Sequence, residues 1–197
     1  MEKDSLTIKF QYRHGFSLMR CQPFHFGHVR VIDTMLSECA IVTVVIGSIQ
    51  EKGTEKNPFD FFERKKMIEK HYDHSADFQR INIIGIKDLG DHSKWAEYVT
   101  HAVKEKVKNA PEVEAFYCGS KHDGRLFENF ENSGNKNLQV IVVDRLDSAF
   151  PLISAENIRN MCRDNRDNRD NNERWRELVP KSSYAPIENK LLKTVTI

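Results

Sequence analysis

Two histidines, an arginine and a glycine stand close together in the stretch Arg20-Cys-Gln-Pro-Phe-His25-Phe-Gly27-His28. Imidazoles three residues apart can face one ligand across a single helical turn. The unpaired N–H groups of that turn, with the helix dipole, favour an anion. Imidazole N–H groups donate to phosphate oxygens, and Arg20 adds a planar, permanently charged fork. Gly27 allows close approach of the backbone where a Cβ would intrude. The chemistry this points to is recognition and charge stabilisation of phosphate. Two other readings stay open: a polar turn with solvent-facing histidines, and a metal site, for which no carboxylate or cysteine sits at a matching spacing.

Such a loop acts only if a rigid frame presents it. Apolar, β-branched runs recur along the chain at Phe16–Met19, Ile41–Ile46, Ile81–Ile86, Val113–Tyr117 and Leu138–Val143. Several are apolar on both faces, which predicts a parallel sheet covered by helices on either side. Amphipathic stretches lie between them. Val29, Ile32, Met35 and Leu36 follow Gly27-His28 at helical spacing. Phe61 to His71 and Ser93 to Lys108 read as helices, the latter with Ser93 as N-cap, and Asp123 to Phe130 as a shorter one. The expected fold class is α/β, a doubly wound parallel sheet of Rossmann-like type, with ligands bound beyond the C-terminal strand ends where strand order reverses. The His-x-Gly-His loop falls between the first strand and the first helix.

Residues 1–14 read as an N-terminal arm, loose or added as an edge strand, and 15–162 as the main domain. Residues 163–197 read as a polar loop and a helical tail packed on that domain. Arg163 to Arg174 is biased to Asn, Asp and Arg and buries nothing on its own pattern, so an exposed loop is expected. Trp175, Leu178, Val179 and Pro180 then re-dock, and a short helix is expected near Ile187–Leu192.

The bulk composition is ordinary for a domain of 197 residues: 39% hydrophobic, 30% charged, formal net charge +1. That balance gives no reason to expect nucleic acid or an acidic membrane as partner. The four cysteines, Cys21, Cys39, Cys118 and Cys162, form no CxxC pair and fit no zinc pattern. They read as reduced thiols, and with no signal-peptide core and no membrane-spanning run the expected compartment is the cytoplasm.

The stretch Met19 to His28 resembles the HxGH signature of the class I nucleotidyltransferase superfamily. In its longer form it resembles the G-R-F-Q-P-F-H-x-G-H segment of the archaeal-type nicotinamide-nucleotide adenylyltransferases, with Met19 in place of the first Gly and Cys21 in place of the aromatic. Further blocks follow in the family's order: Gly47-Ser48-Ile-Gln50, Asn57-Pro-Phe59, Glu63-Arg64, Ile153-Ser154-Ala-Glu156-Asn-Ile-Arg159 and Trp175-Arg-Glu-Leu-Val-Pro180. The resemblance spans about residues 15–180. His92 stands where the family tends to have Asn, and Glu156 where it has Thr.

The resemblance implies adenylyl transfer from ATP to nicotinamide mononucleotide, giving NAD and pyrophosphate by direct in-line attack. It implies that His25, His28, Arg20 and Arg159 act on the phosphates. Gln22, Gly27, Lys56, Gly119, Ser120 and Ser154 would bind the nucleotide. Gly47, Ser48, Gln50, Asp88 and Trp95 would bind the mononucleotide, with Trp95 stacked on the nicotinamide ring. Arg64 is expected to be structural. Mg²⁺ would be bound through the ATP phosphates, with no protein metal site, and a homo-oligomer is implied. Plainer readings stand beside these roles: Ser154 as a helix N-cap, Trp95 as core, Arg159 as a surface charge. Alternative functions are transfer to phosphopantetheine, FMN or nicotinic acid mononucleotide, or nucleotide binding without turnover. A fused pyrophosphohydrolase of the Nudix type is not expected, since its Glu-rich helix motif does not occur.

Overall fold

A computed structural model of the chain describes residues 10–90, 94–131, 138–143, 153–168 and 173–193. Its centre is a sheet of five parallel strands: β1 (Tyr12–Met19), β2 (Cys39–Ile46), β3 (Ile81–Gly85), β4 (Ala115–Cys118) and β5 (Gln139–Val142). Helices connect them: α1 (Phe26–Glu38), α2 (Phe61–Tyr72), α3 (Trp95–Lys106) and α4 (Lys121–Glu131). After β5 come α5 (Ala155–Asn168), a 3₁₀ turn at Glu173–Leu178 and α6 (Tyr184–Ile187).

The strand order is β3-β2-β1-β4-β5. The chain steps outward from β1 through β2 and β3, then crosses back to lay β4 and β5 on the other side of β1. The order reverses between β1 and β4, so a crevice opens at their C-terminal ends.

Strand alternation sends successive side chains to opposite faces. Val42, Val44 and Ile46 of β2, with Ala115 and Tyr117 of β4, meet Ile32, Met35, Met67, Ile68, Ile158 and Trp175. Phe16, Val45, Phe116 and Cys118 point the other way, onto Val99, Val103 and Phe127 of α3 and α4. Both faces of the sheet are therefore buried, as the continuous apolar strands require.

Two expectations change. The first strand begins at Tyr12, four residues earlier than its apolar run, so Tyr12 and Arg13 belong to the sheet and not to an arm. Polar contacts carry this start: Arg13 pairs with Glu114, and buried His14 bonds through Nε2 to Thr43 Oγ1 (2.8 Å) and through Nδ1 to the Pro111 carbonyl (2.9 Å). Residues 163–168 are helical, not loop, because α5 continues through them. Ile158 and Cys162, both fully buried and four residues apart, supply the inner stripe. As expected, the tail re-docks with Trp175 and Val179 buried and a short helical segment follows, α6 continuing as a π-helical turn over Glu188–Leu192. The expected N-cap Ser93 lies outside the described residues.

Two predictions follow from this packing. A Cβ at Gly15, in the middle of β1, would sit 2.5 Å from Cys39 Sγ and 3.0 Å from the Tyr117 ring. Gly15→Ala should cost about 1–3 kcal/mol by overpacking, read from urea midpoints, whereas nothing lies within 4 Å of a Cβ at Gly90. Burial lowers the His14 pKa below the ordinary histidine value, despite the Pro111 hydrogen bond and Glu114, which raise it. The unfolded chain then binds the extra proton first, so stability is lost as pH falls below about 6.5. Between about pH 7.5 and about pH 5.5, His14→Gln should lose less stability than the parent chain, read from urea midpoints at both pH values.

Candidate active site

β1 ends at Met19, and the chain turns through Arg20–His25 into α1, whose N-cap is His25. Cys21 takes a left-handed φ of 52° and the Gln22–Pro23 peptide is cis. His25 and His28 are both buried, with ring centroids 3.7 Å apart. The His25 backbone N–H donates to His28 Nδ1 at 3.3 Å. In the neutral ring the proton is therefore on Nε2, so His28 offers an N–H donor. Gly27 is buried in the first turn beside them. The pair converges, as the spacing predicts.

His28 lines an open cleft of about 480 Å³ together with Arg20, Gly47, Ser48, Asp88 and Trp95. The crevice at the strand ends thus collects residues from five separate stretches of sequence. Ser48 has a left-handed φ of 53° and donates its hydroxyl to Asp88 Oδ1 (2.8 Å). Gln50 Nε2 donates to Asp88 Oδ2 (2.8 Å), and Gln50 Oε1 accepts from the Asp88 backbone N–H (3.1 Å). Ser48 and Gln50 therefore hold the Asp88 carboxylate in place. Trp95 is the first residue of α3 and is half-buried, beside Tyr98. His92 lies outside the described residues.

Beyond the histidine loop the surface turns cationic. Arg20 Nη2 donates to Asn57 Oδ1 (2.6 Å). Arg159, in the second turn of α5, donates through Nη1 to the Gln22 carbonyl (2.6 Å). Its guanidinium pKa is lowered, by burial first and also by nearby Arg20 and Arg163, while Glu156 and Glu55 oppose the shift. Lys56, Glu156, Asn160 and Arg163 share a neighbouring cleft with Arg159. Arg20 and Arg159 thus stand near one another, Arg159 being bonded to the carbonyl two residues along from Arg20.

Some expected contacts are used inside the protein. Gln22 is buried and exchanges two hydrogen bonds with the Phe59 backbone, at 2.8 and 3.0 Å. It pins the Asn57–Phe59 loop to the histidine loop instead of facing the cleft. Ser154 Oγ accepts from the Asn157 N–H (3.1 Å), which makes it the N-cap of α5. Ser120, next to Gly119 after β4, donates to Asp123 Oδ2 (2.7 Å) and accepts the Asp123 N–H (3.2 Å).

Asn57, bonded to Arg20, and Asp123 and Arg163, which line the clefts, were not singled out by sequence reasoning. Asp123 lines the cleft beside Trp95. Arg163 was hidden because its segment reads as loop, although its spacing of four from Arg159 becomes a signal once the helix is known. Arg64 has no exposed surface and donates to the carbonyls of Arg20 (3.0 Å), Gly47 (2.8 Å), Ser48 (3.3 Å) and Asp60 (3.1 Å). It is structural, as expected, and joins the ends of β1 and β2.

The chain is similar to several known proteins. The nicotinamide-nucleotide adenylyltransferase of Thermococcus onnurineus is 28% identical over 170 residues, covering 86% of this chain and 79% of that protein. Its namesake in Saccharolobus solfataricus is 40% identical over 82 residues, covering 41% of this chain and 48% of that protein. Among solved structures, a bifunctional NMN adenylyltransferase/ADP ribose pyrophosphatase from Francisella tularensis, complexed with AMP and a manganese ion, aligns with a TM-score of 0.62. It is 26% identical, and the match covers 78% of this chain and 42% of that one, so the present chain spans less than half of the bifunctional protein. The family model described as cytidylyltransferase-like matches residues 20–191, and the chain belongs to that family.

Proposed function

We propose that the chain transfers the adenylyl group of ATP to nicotinamide mononucleotide, releasing pyrophosphate and forming NAD. The observation that carries this is one cleft in which His28 and Arg20 stand beside Asp88 and Trp95. One set suits a phosphate and the other an aromatic amide. The names of the Thermococcus and Saccharolobus relatives support the same reaction.

The 5′-phosphate of the mononucleotide is an anion near neutral pH and attacks the α-phosphorus without a general base. The bond from that phosphorus to the β-phosphate bridging oxygen breaks, and pyrophosphate leaves. The protein positions the two phosphates and stabilises the charge that builds between them. His28 donates from Nε2 to the α-phosphate, with His25 beside it. Arg20, Lys56 and Arg159 hold the rest of the triphosphate. The nucleotide enters as its Mg²⁺ complex, the ion held on phosphate oxygens and water. Among the described residues, no group of three or more His, Cys, Asp or Glu side chains converges on a metal of its own. The manganese ion in the Francisella structure supports a divalent cation.

Trp95 stacks on the nicotinamide ring. Each Asp88 oxygen accepts one internal hydrogen bond and keeps a lone pair for an amide N–H. A carboxylate there favours the amide over the acid mononucleotide, which would bring a second negative charge.

The test is incubation with ATP, Mg²⁺ and each mononucleotide, with chromatography of the products. NAD should appear; absence of any dinucleotide would refute the proposal. His28→Ala should lower kcat about 10²–10³-fold with the circular dichroism unchanged. Asp88→Asn should shrink the preference for amide over acid by about tenfold in kcat/KM; an unchanged ratio would remove Asp88 from base recognition.

A further inference from the structure

Three guanidinium groups gather where the histidine loop meets α5. Arg159 is half-buried and spends one N–H on the Gln22 carbonyl. Arg20 and Arg163 lie near enough to lower its proton affinity. Bringing like charges together is unfavourable unless an anion joins them. Arg163 follows Arg159 by one helical turn, so both present their side chains on one side of α5. Two adjoining clefts, of about 470 and about 410 Å³, contain both residues. Lys56 lines the smaller one and Lys190 the larger.

In the structure Arg163 is paired with Glu55, whose side chain is 73% exposed. Glu55 sits in the loop between β2 and α2, next to Lys56, and lines both clefts. An exposed carboxylate contributes little through such a pair and is easily displaced. A polyphosphate oxygen offers the same guanidinium more charge and a bidentate partner.

Resting on the adenylyl-transfer reading, we infer that Arg163 binds the β- and γ-phosphates of ATP, and the departing pyrophosphate, by exchanging Glu55 for phosphate oxygens. Glu55 acts as the internal stand-in for the anion. The histidines hold the α-phosphate, while Arg20, Arg159, Lys56 and Arg163 receive the rest of the triphosphate. The Glu55 charge competes with the nucleotide, so the pair sets how tightly ATP and pyrophosphate are held.

The experiment is calorimetric titration of the full chain with inorganic pyrophosphate, ATP and AMP, each with Mg²⁺. Arg163→Gln should weaken pyrophosphate and ATP by roughly ten- to a hundredfold and leave AMP within about twofold. Glu55→Gln should act in the opposite direction and tighten pyrophosphate several-fold. Arg163→Lys should recover part of the loss. Unchanged pyrophosphate affinity in Arg163→Gln, equal losses for AMP and ATP, or weaker binding in Glu55→Gln would each overturn the inference. The measurement needs no turnover. A chain that binds pyrophosphate through Arg163 but makes no dinucleotide refutes the function, and one that makes NAD with Arg163→Gln at parental affinity refutes only this site.

Discussion

The site depends on one buried charge. Arg64 carries its guanidinium from α2 into the angle between the ends of β1 and β2. It donates there to the carbonyls of Arg20, Gly47 and Ser48, and to Asp60 in the turn before its own helix. Those carbonyls belong to the two loops that leave the sheet at the crevice. Parallel strands end with backbone groups that no neighbouring strand satisfies, and a buried carbonyl without a donor costs about 1–3 kcal/mol. Arg64 satisfies several with one rigid planar group, which a lysine could not span. Burial lowers its pKa, yet nearby Asp60 and Asp88 act against that shift. The fixed spacing of the fork becomes the spacing of the loops.

Further ties extend that frame outward. Gln22 exchanges hydrogen bonds with Phe59, Arg159 reaches the Gln22 carbonyl from α5, and Ser183 Oγ donates to the Phe24 carbonyl (3.0 Å) from the tail. Arg159 and Ser183 thus reach the backbone of one short loop from distant segments, and Phe59 is tied to that loop through the Gln22 side chain. Catalysis by charge stabilisation requires donors that are already oriented before charge develops. Here the carbonyls of Arg20, Gln22 and Phe24 are held by Arg64, Arg159 and Ser183. Arg159 fixes the loop through one N–H and also lines the cleft that contains Lys56.

The frame was legible in the sequence because both faces of the sheet are buried, so the strands read as continuous apolar runs. β1 was read too short because its first half enters the sheet on polar terms. His14 is buried through Thr43 and Pro111, partners 29 and 97 residues away, which no local pattern announces. The end of α5 was misread for a related reason. A helix packed on one side needs only a narrow apolar stripe, and Ile158 with Cys162 is enough. At the site, the imidazole pair was readable from spacing alone. The inward turn of Gln22, the pinning of Asp88 by Ser48 and Gln50, and the Arg163–Glu55 pair depend on contacts across sheet ends. They are visible only once strand order is known.

The departures from the family pattern can be weighed on the same terms. Met19 is nearly buried at the end of β1, packs into the core beneath α1 and also borders the cleft. A larger side chain there narrows the cleft floor while leaving the phosphate donors in place. Cys21 is fully buried with left-handed φ, so its small side chain suits a turn that folds inward. Glu156 brings a carboxylate to the cleft of Lys56 and Arg159, where the family has a hydroxyl. Two exposed carboxylates, Glu55 and Glu156, therefore face the cations of this region. Their charge offsets the mutual repulsion of Arg20, Arg159 and Arg163 in the absence of nucleotide. A loss of one hydroxyl donor is thus accompanied by a cationic cluster larger than the signature alone contains, with Arg163 as the added member.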